Sequence, residues 1–161
     1  MGESAPDVSE SSDQDPSLPV ERLALKLLAA HEHSRLELER KLCARGFDGD
    51  LVGAVIERLT RSGAIDEARM AEKYVSERAS KGFGPLRIRA ELGERGLAED
   101  LFGPYLSAME GRWPDYLGAA HDRRFGAGPP VDRSDYAKRG RFLEQRGFPA
   151  DMIRRYLRWT D

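Results

Sequence analysis

An internal repeat is the feature of this sequence that most constrains its fold. Three stretches align without gaps, beginning at Glu39, Arg89 and Gly140, which places them 50 and 51 residues apart. Self-similarity at such a period is the signature of repeat architectures, in which each small unit packs against its neighbours. The residues that recur are Leu42, Leu92 and Leu143; Arg45-Gly46, Arg95-Gly96 and Arg146-Gly147; and Asp50, Asp100 and Asp151. The sequence therefore predicts a tandem array of one unit.

The recurring residues indicate a helix, a tight turn and a second helix. Glycine suits the left-handed residue that ends a helix, because it has no Cβ to clash with the backbone. The hydrophobic residue after it, which is Phe47, Leu97 or Phe148, can cover the end of that helix. The aspartate then falls in the first turn of the next helix, where free backbone amides and the helix dipole favour negative charge.

The flanking apolar residues supply a third helix in each unit, because they recur with a period of about 3.6 residues. Start and stop signals divide these helices: a capping box at Ser34-Arg-Leu-Glu37, a capping residue at Asp66, and breaks at Gly82-Phe-Gly-Pro85 and Gly126-Ala-Gly-Pro-Pro130. No alternating run of Val, Ile or Thr predicts a strand. We therefore expect an all-α fold of three three-helix repeats, at residues 20–65, 66–111 and 112–161.

Charge is distributed unevenly along the chain. The net charge is −2, yet residues 1–19 contain five acids and no base, so the remaining body carries +3 and its last third +4. We expect residues 1–19 to form a disordered acidic tail. They lack apolar periodicity, so ordering them would cost conformational entropy with little hydrophobic burial in return. The apolar runs are too short to cross a bilayer and no secretory signal is evident, which predicts a cytoplasmic protein without a membrane partner.

No motif indicates catalysis or a metal centre. His31 and His33 lie two residues apart, which places them on different helix faces, so a surface histidine pair is expected rather than metal ligands. His121-Asp122 has no associated nucleophile and is expected to be a solvated pair. The single cysteine, Cys43, excludes an internal disulfide. We therefore expect no enzyme activity, no cofactor, no metal and no small-molecule substrate.

Clusters of basic residues are the candidates for binding. Arg154, Arg155 and Arg158 share one face of a helix, with no acid between Met152 and Trp159. A patch without neutralising acids fits a site for phosphates or partner carboxylates, although a merely solvated face remains the alternative. The full set of candidate contact residues is Arg78, Lys81, Arg87, Lys138, Arg139, Arg141, Arg154, Arg155 and Arg158. Arg87 precedes Glu91 by four residues and is expected to be partly paired with it.

The sequence resembles the RecX family, the regulators of the RecA recombinase. The resemblance covers about residues 20 to 159 and is strongest in the second unit. It is carried by Leu25-Lys-Leu-Leu, Ser34-Arg-Leu-Glu-Leu-Glu-Arg-Lys-Leu, Gly63-Ala-Ile-Asp66, Asp66-Glu-Ala-Arg69, Gly82-Phe-Gly-Pro85, Arg87-Ile88, Arg141-Phe-Leu143 and Arg146-Gly-Phe148. The chain departs from the family pattern at Met70, where an aromatic residue is common, and in its acidic tail.

The resemblance implies an elongated, curved molecule that lies in the groove of the RecA–DNA filament. There it would modulate RecA, mostly by inhibiting ATP hydrolysis, strand exchange and filament extension in recombination, DNA repair and the SOS response. It implies a monomer that meets single- or double-stranded DNA weakly or through the filament. A direct DNA-binding helix-turn-helix regulator is the alternative, although a body of only +3 argues against it. A scaffold of helical repeats is a third interpretation.

Overall fold

The computed structural model describes residues 15–158, and no strand occurs within that range. The expected all-α class and the grouping into three-helix units are confirmed. The first unit contains α1 (Ser17–Ala30), α2 (Arg35–Ala44) and α3 (Gly49–Arg61). The second contains α4 (Glu67–Ser80), α5 (Pro85–Glu94) and α6 (Glu99–Ala108). After a 3-10 turn at Glu110–Arg112, the third contains α7 (Trp113–Phe125), α8 (Arg133–Gln145) and α9 (Ala150–Leu157).

The start of α1 corrects the predicted extent of the tail. Most of that tail, residues 1–14, lies outside the described range, but α1 begins at Ser17. The prediction was therefore wrong for residues 17–19. The Asp15 carboxylate accepts a hydrogen bond from the Ser17 N–H at 2.9 Å, and the Ser17 hydroxyl accepts one from Arg58 at 3.2 Å. The first bond is local to the start of α1, and the second ties that turn to α3. Apolar periodicity along the sequence does not predict such polar contacts.

The predicted helix ends are present. Ser34 and Glu37 form the capping box at the start of α2, and the Asp66 carboxylate accepts from the Arg69 N–H at the start of α4. The three repeat glycines, Gly46, Gly96 and Gly147, have φ values of +90°, +86° and +93°. This backbone region strains residues that carry a Cβ, which explains why glycine recurs there.

The buried side chains form two cores among the described residues. The first unit has its own core of nine buried hydrophobic residues, which includes Val20, Leu38 and Val55. The second and third units share one core of sixteen, in which Phe102 and Phe148 are the largest fully buried side chains. The second and third units are therefore one body in terms of packing, and the first unit is attached to it.

The two junctions between units are built in the same way. At each one, the Arg-Gly turn of the later unit packs on the start of the second helix of the unit before it. The Arg95 carbonyl accepts from the Ser34 hydroxyl at 2.5 Å, and the Arg146 carbonyl accepts from the Gly84 N–H at 2.7 Å. Ser34 and Gly84 are equivalent residues in the repeat, so duplication of the unit has also duplicated its docking geometry.

A candidate anion-binding site between the second and third units

The loop between α4 and α5 brings the second and third units together. Gly82 gives the chain a positive φ of +89° after α4, and Pro85 starts α5 in the first-turn position that tolerates a missing N–H. Beside the Gly84 bond, the Leu86 N–H donates to the Gly147 carbonyl at 3.0 Å. These bonds hold the end of α8 against the start of α5 and leave Phe83 between the two units.

Arg78, Arg87 and Arg146 lie over the Phe83 ring, and Arg146 also lines a neighbouring cleft with three further cations. We call these six side chains the arginine cluster: Arg78, Lys81, Arg87, Arg123, Arg124 and Arg146. The guanidinium carbons of Arg78, Arg87 and Arg146 lie 3.6, 4.6 and 4.7 Å from the Phe83 ring centroid. At these distances, each cation is attracted by the negative face of the aromatic ring. The ring therefore organises charged groups that would otherwise repel one another.

One carboxylate compensates part of this charge. Glu91 accepts hydrogen bonds from Arg78 at 2.5 Å, from the Tyr74 hydroxyl at 2.7 Å and from Arg87 at 3.0 Å. Burial disfavours the charged form of Glu91, but the hydrogen bonds outweigh it and hold the pKa of this carboxyl below its usual value. For Tyr74, burial and the hydrogen bond to Glu91 raise the pKa of the hydroxyl to about 12.

The other four members of the arginine cluster have no carboxylate partner among residues 15–158. Arg123 instead donates to the Ser80 carbonyl at 3.3 Å, and Arg146 donates to the Lys81 carbonyl at 3.4 Å, so both bind the end of α4. Burial and the charges of Arg87, Arg123 and Arg78 lower the pKa of Arg146 below its usual value. Both burial and the neighbouring like charges disfavour the charged form of this guanidinium.

A cleft of about 150 Å³ opens within the arginine cluster. Its lining residues are Lys81, Ala120, Arg123, Arg124, Phe142 and Arg146. A phosphate or carboxylate placed there would relieve the repulsion among these cations, and the planar guanidinium groups suit oxyanions with two oxygens to share. The chemistry available at this site is therefore anion binding.

The structure brings three of the expected contact residues, Arg78, Lys81 and Arg87, into the arginine cluster. Arg123, Arg124 and Arg146 were missed by the sequence analysis. Arg146 belongs to the repeated Arg-Gly pair, in which only the glycine was given a structural role. Arg123 and Arg124 lie at the end of α7, where basic residues are common because they interact favourably with the helix dipole. Their convergence depends on how α7 and α8 pack against the end of α4.

The expectation for Arg139 was wrong, because its side chain is buried inside the third unit. Its guanidinium pairs with Asp135 at 2.8 Å, donates to the Gly128 carbonyl at 2.7 Å and lies 3.1 Å from Nε2 of His121. His121 is likewise buried rather than solvated, with Nδ1 2.9 Å from the Asp122 carboxylate. A buried arginine needs such partners, so this group anchors α8 to α7.

The first unit shows a similar correction at His33. This side chain is buried, and its ring bonds the His31 carbonyl and the Lys41 ammonium, each at 2.8 Å. His31 is exposed, as expected. No group of three potential metal ligands occurs within residues 15–158. Over the same range, no helix is long and apolar enough to cross a membrane.

The remaining candidate residues lie exposed on α8 and at the end of α9: Lys138, Arg141, Arg154, Arg155 and Arg158. Buried Ile153 and Leu157 hold the opposite face of α9 in the core. Arg155 pairs with Asp151 at 2.5 Å, but both side chains are mostly exposed, so the pairing is weak. The role of this surface in binding stays a prediction.

Comparison with known proteins places the chain in a family. Family models for the first, second and third three-helix domains of RecX match residues 22–59, 66–102 and 117–157. The chain belongs to the RecX family. A regulatory protein RecX from Halorhodospira halophila is 44% identical over 131 residues, covering 81% of each chain. Another from Pseudomonas savastanoi pv. phaseolicola is 43% identical over 143 residues, covering 89% of this chain and 92% of the relative.

Solved RecX structures have the same fold. The crystal structure of RecX from Lactobacillus salivarius superposes with a TM-score of 0.75 at 22% identity, covering 89% of this chain and 95% of the other. The three-unit architecture is thus shared with a RecX protein of quite different sequence.

Proposed function

We propose that this RecX-family protein regulates the RecA recombinase by binding the RecA–DNA filament. Binding inhibits RecA ATP hydrolysis, strand exchange and filament extension, and the protein performs no catalysis and needs no cofactor. Membership of a family of regulatory proteins over all three units supports this proposal. We further expect it to act as a monomer in the cytoplasm.

The arginine cluster is the observation that carries the proposal. A nucleoprotein filament presents closely spaced phosphates, and cations without carboxylate partners gain most from such a surface because few internal pairs must be broken. The cluster lies on the body formed by the second and third units, so it is held by a shared core rather than by a loop. Lys138 and Arg141 on α8, with Arg154, Arg155 and Arg158 near the end of α9, are proposed to extend the contact.

A double charge reversal tests this assignment. In Arg123→Glu/Arg124→Glu, the new carboxylates line the same cleft as Lys81 and Arg146, which relieves repulsion and should keep the fold. We expect the concentration that half-inhibits RecA ATPase on single-stranded DNA to rise at least about tenfold. Arg22→Glu/Lys26→Glu, on the exposed face of α1, changes the net charge equally and should inhibit within about twofold of wild type.

Two further measurements, the salt dependence of inhibition and binding to DNA alone, could contradict this proposal. Wild-type inhibition should weaken with added salt, because exposed charge pairs are screened. Equal inhibition by the double variant and the wild type would remove the arginine cluster from the contact. Tight binding of the wild type to DNA alone, without an effect on RecA, would favour the direct DNA-binding regulator instead.

A further inference from the structure

The Arg-Gly turn that joins the units occurs three times but is docked only twice among the described residues. At both junctions, a donor at the start of a helix bonds the arginine carbonyl, from Ser34 to Arg95 and from Gly84 to Arg146. Equivalent residues thus bond equivalent carbonyls, Ser34 through its hydroxyl and Gly84 through its backbone N–H. The Arg-Gly turn is therefore a repeated docking element that binds the N-terminal end of a helix.

The arginine side chain adds a second contact at each junction. Arg95 reaches back to Glu37, with nitrogen to oxygen distances of 2.8 and 3.2 Å, and to the Glu32 carbonyl at 3.4 Å. Arg146 makes a similar bond to the Lys81 carbonyl at 3.4 Å, one position earlier in the repeat than Glu32. A carboxylate in the first turn of the docked helix strengthens the junction where one is present, because it forms a charge-assisted pair.

The glycine permits the close approach. A Cβ on Gly96 would lie 2.6 Å from a methyl carbon of Leu36, and a Cβ on Gly147 would overlap Arg87. The hydrophobic residue after each glycine is buried in the core, and the exposed fractions of Leu97 and Phe148 are 5% and 1%. Docking therefore uses the missing side chain of glycine as well as its backbone conformation.

Among residues 15–158, no helix is docked on the third copy of this element, in the first unit. Arg45 is exposed, and no atom of these residues lies within 4 Å of the position that a Cβ on Gly46 would occupy. Phe47, which follows, is only partly buried. The turn nevertheless has its docking conformation, since the Gly46 N–H donates to the Cys43 carbonyl at 2.9 Å, as Gly96 and Gly147 do at their own helix ends. No rearrangement is needed before it binds.

We propose that the Arg45–Gly46 turn is a docking site for the start of a helix on a partner protein. The helix that fits has a hydrogen-bond donor at its N-cap and a carboxylate three residues later, as Ser34 and Glu37 are arranged for Arg95. The inference rests on the proposed function, which supplies the protein component of the filament as the partner. It places a protein contact on the first unit, apart from the arginine cluster.

A second copy of this chain is not the occupant. The position equivalent to Ser34 and Gly84 in the third unit is residue 135, but α8 has thirteen residues where α2 and α5 have ten, and it begins earlier, at Arg133. The additional turn covers the place where another unit would dock. The Asp135 carboxylate is also bound internally, by Arg139 and by the Val131 N–H. The start of α8 is therefore not available to an Arg-Gly turn of another copy.

Gly46→Asn tests the close approach. Asparagine tolerates positive φ better than most residues, so the turn should fold while its side chain occupies the docking face. We expect the half-inhibiting concentration in the RecA ATPase assay to rise about tenfold. Gly63→Asn is the matched control, because Gly63 also has a positive φ, +78°, and open space around it. That control should stay within about twofold of wild type.

Arg45→Glu tests the charge, with Arg40→Glu on the same helix as its control. We expect only the first to weaken inhibition, by about tenfold, with unchanged melting temperatures in both. If wild type inhibits RecA and both Gly46→Asn and Arg45→Glu inhibit equally well, the docking site is wrong while the proposed function stands. If wild type has no effect on RecA, the proposed function itself fails.

Cys43 allows the contact to be located directly. It is the single cysteine of the sequence, it is exposed, and it lies two residues before Arg45. A small trifluoromethyl label on it should shift its fluorine resonance when RecA filaments are added, and Gly46→Asn should reduce that shift at equal filament concentration. An unchanged resonance under conditions of full inhibition would overturn the proposal. A shift with single-stranded DNA alone would also overturn it, because the turn would then contact nucleic acid.

Discussion

At the scale of single residues, the Glu91 carboxylate offsets the charge repulsion within the arginine cluster that would otherwise destabilise the fold. One carboxylate serves Tyr74, Arg78 and Arg87, and its side chain is only 20% exposed. Without its charge, two guanidinium groups beside Phe83 would face each other with less compensation. The residue is therefore expected to support stability rather than to contact the filament.

Glu91→Gln should lower the free energy of unfolding by about 1 kcal/mol at neutral pH, as expected for the loss of charged hydrogen-bond partners. The pKa of Glu91 is lowered in the folded protein, so its contribution is present above the usual pKa of 4.5 and is lost as the pH falls below it. Urea denaturation of both proteins should therefore show curves that converge in acid. A constant difference from pH 7 to pH 3 would contradict this assignment.

At the scale of helices and turns, the local signals were sufficient to predict the fold. Capping residues and positive-φ glycines act within a few residues, so Ser34, Asp66 and Gly96 could be interpreted from the sequence alone. The candidate site could be predicted only in part, because the grouping of Arg123 and Arg146 is set by packing between units. Arg139 was misassigned for the same reason. A basic residue on a largely polar helix can point inward when a buried histidine and an aspartate provide hydrogen-bond and ion-pair partners.

Gly84→Ala isolates the packing between the second and third units. The φ of Gly84 is −88°, which alanine adopts freely, but the added Cβ would lie 2.5 Å from the Gly147 carbonyl group. We expect a loss of about 1–3 kcal/mol, typical of overpacking, measured by thermal and urea unfolding. Gly53→Ala, exposed on α3 with open space around it, should instead be neutral or stabilising by up to about 1 kcal/mol. Equal behaviour of the two variants would mean that the junction is loose.

At the scale of the whole molecule, the two cores predict two levels of stability. The first unit buries nine hydrophobic residues in its core and the second and third units together bury sixteen, within the described range. Polar pairs such as Arg95 with Glu37 and Arg69 with Glu32 join the first unit to the rest, alongside the contact of Leu36 with Gly96. We therefore expect the first unit to open while the larger body stays folded.

Native-state hydrogen exchange should resolve this order, with the amides of α1–α3 exchanging through an opening of lower free energy than those of α4–α9. Arg95→Ala removes the pair with Glu37 and should lower the opening free energy of the first unit by about 1–2 kcal/mol. The amides of α7–α9 should be unaffected. Uniform exchange across all helices in both proteins would show one cooperative unit instead.

The division of the arginine cluster between two units also has a consequence for the order of biosynthesis. Arg78, Lys81 and Arg87 precede Arg123, Arg124 and Arg146 in the chain, and the cleft exists only when both groups have packed together. A nascent polypeptide emerges from the ribosome N-terminal end first, so it has an incomplete cleft until Arg146 has left the exit tunnel. The ability to bind an anion at this cleft is therefore acquired late, only after the third unit has folded against the end of α4.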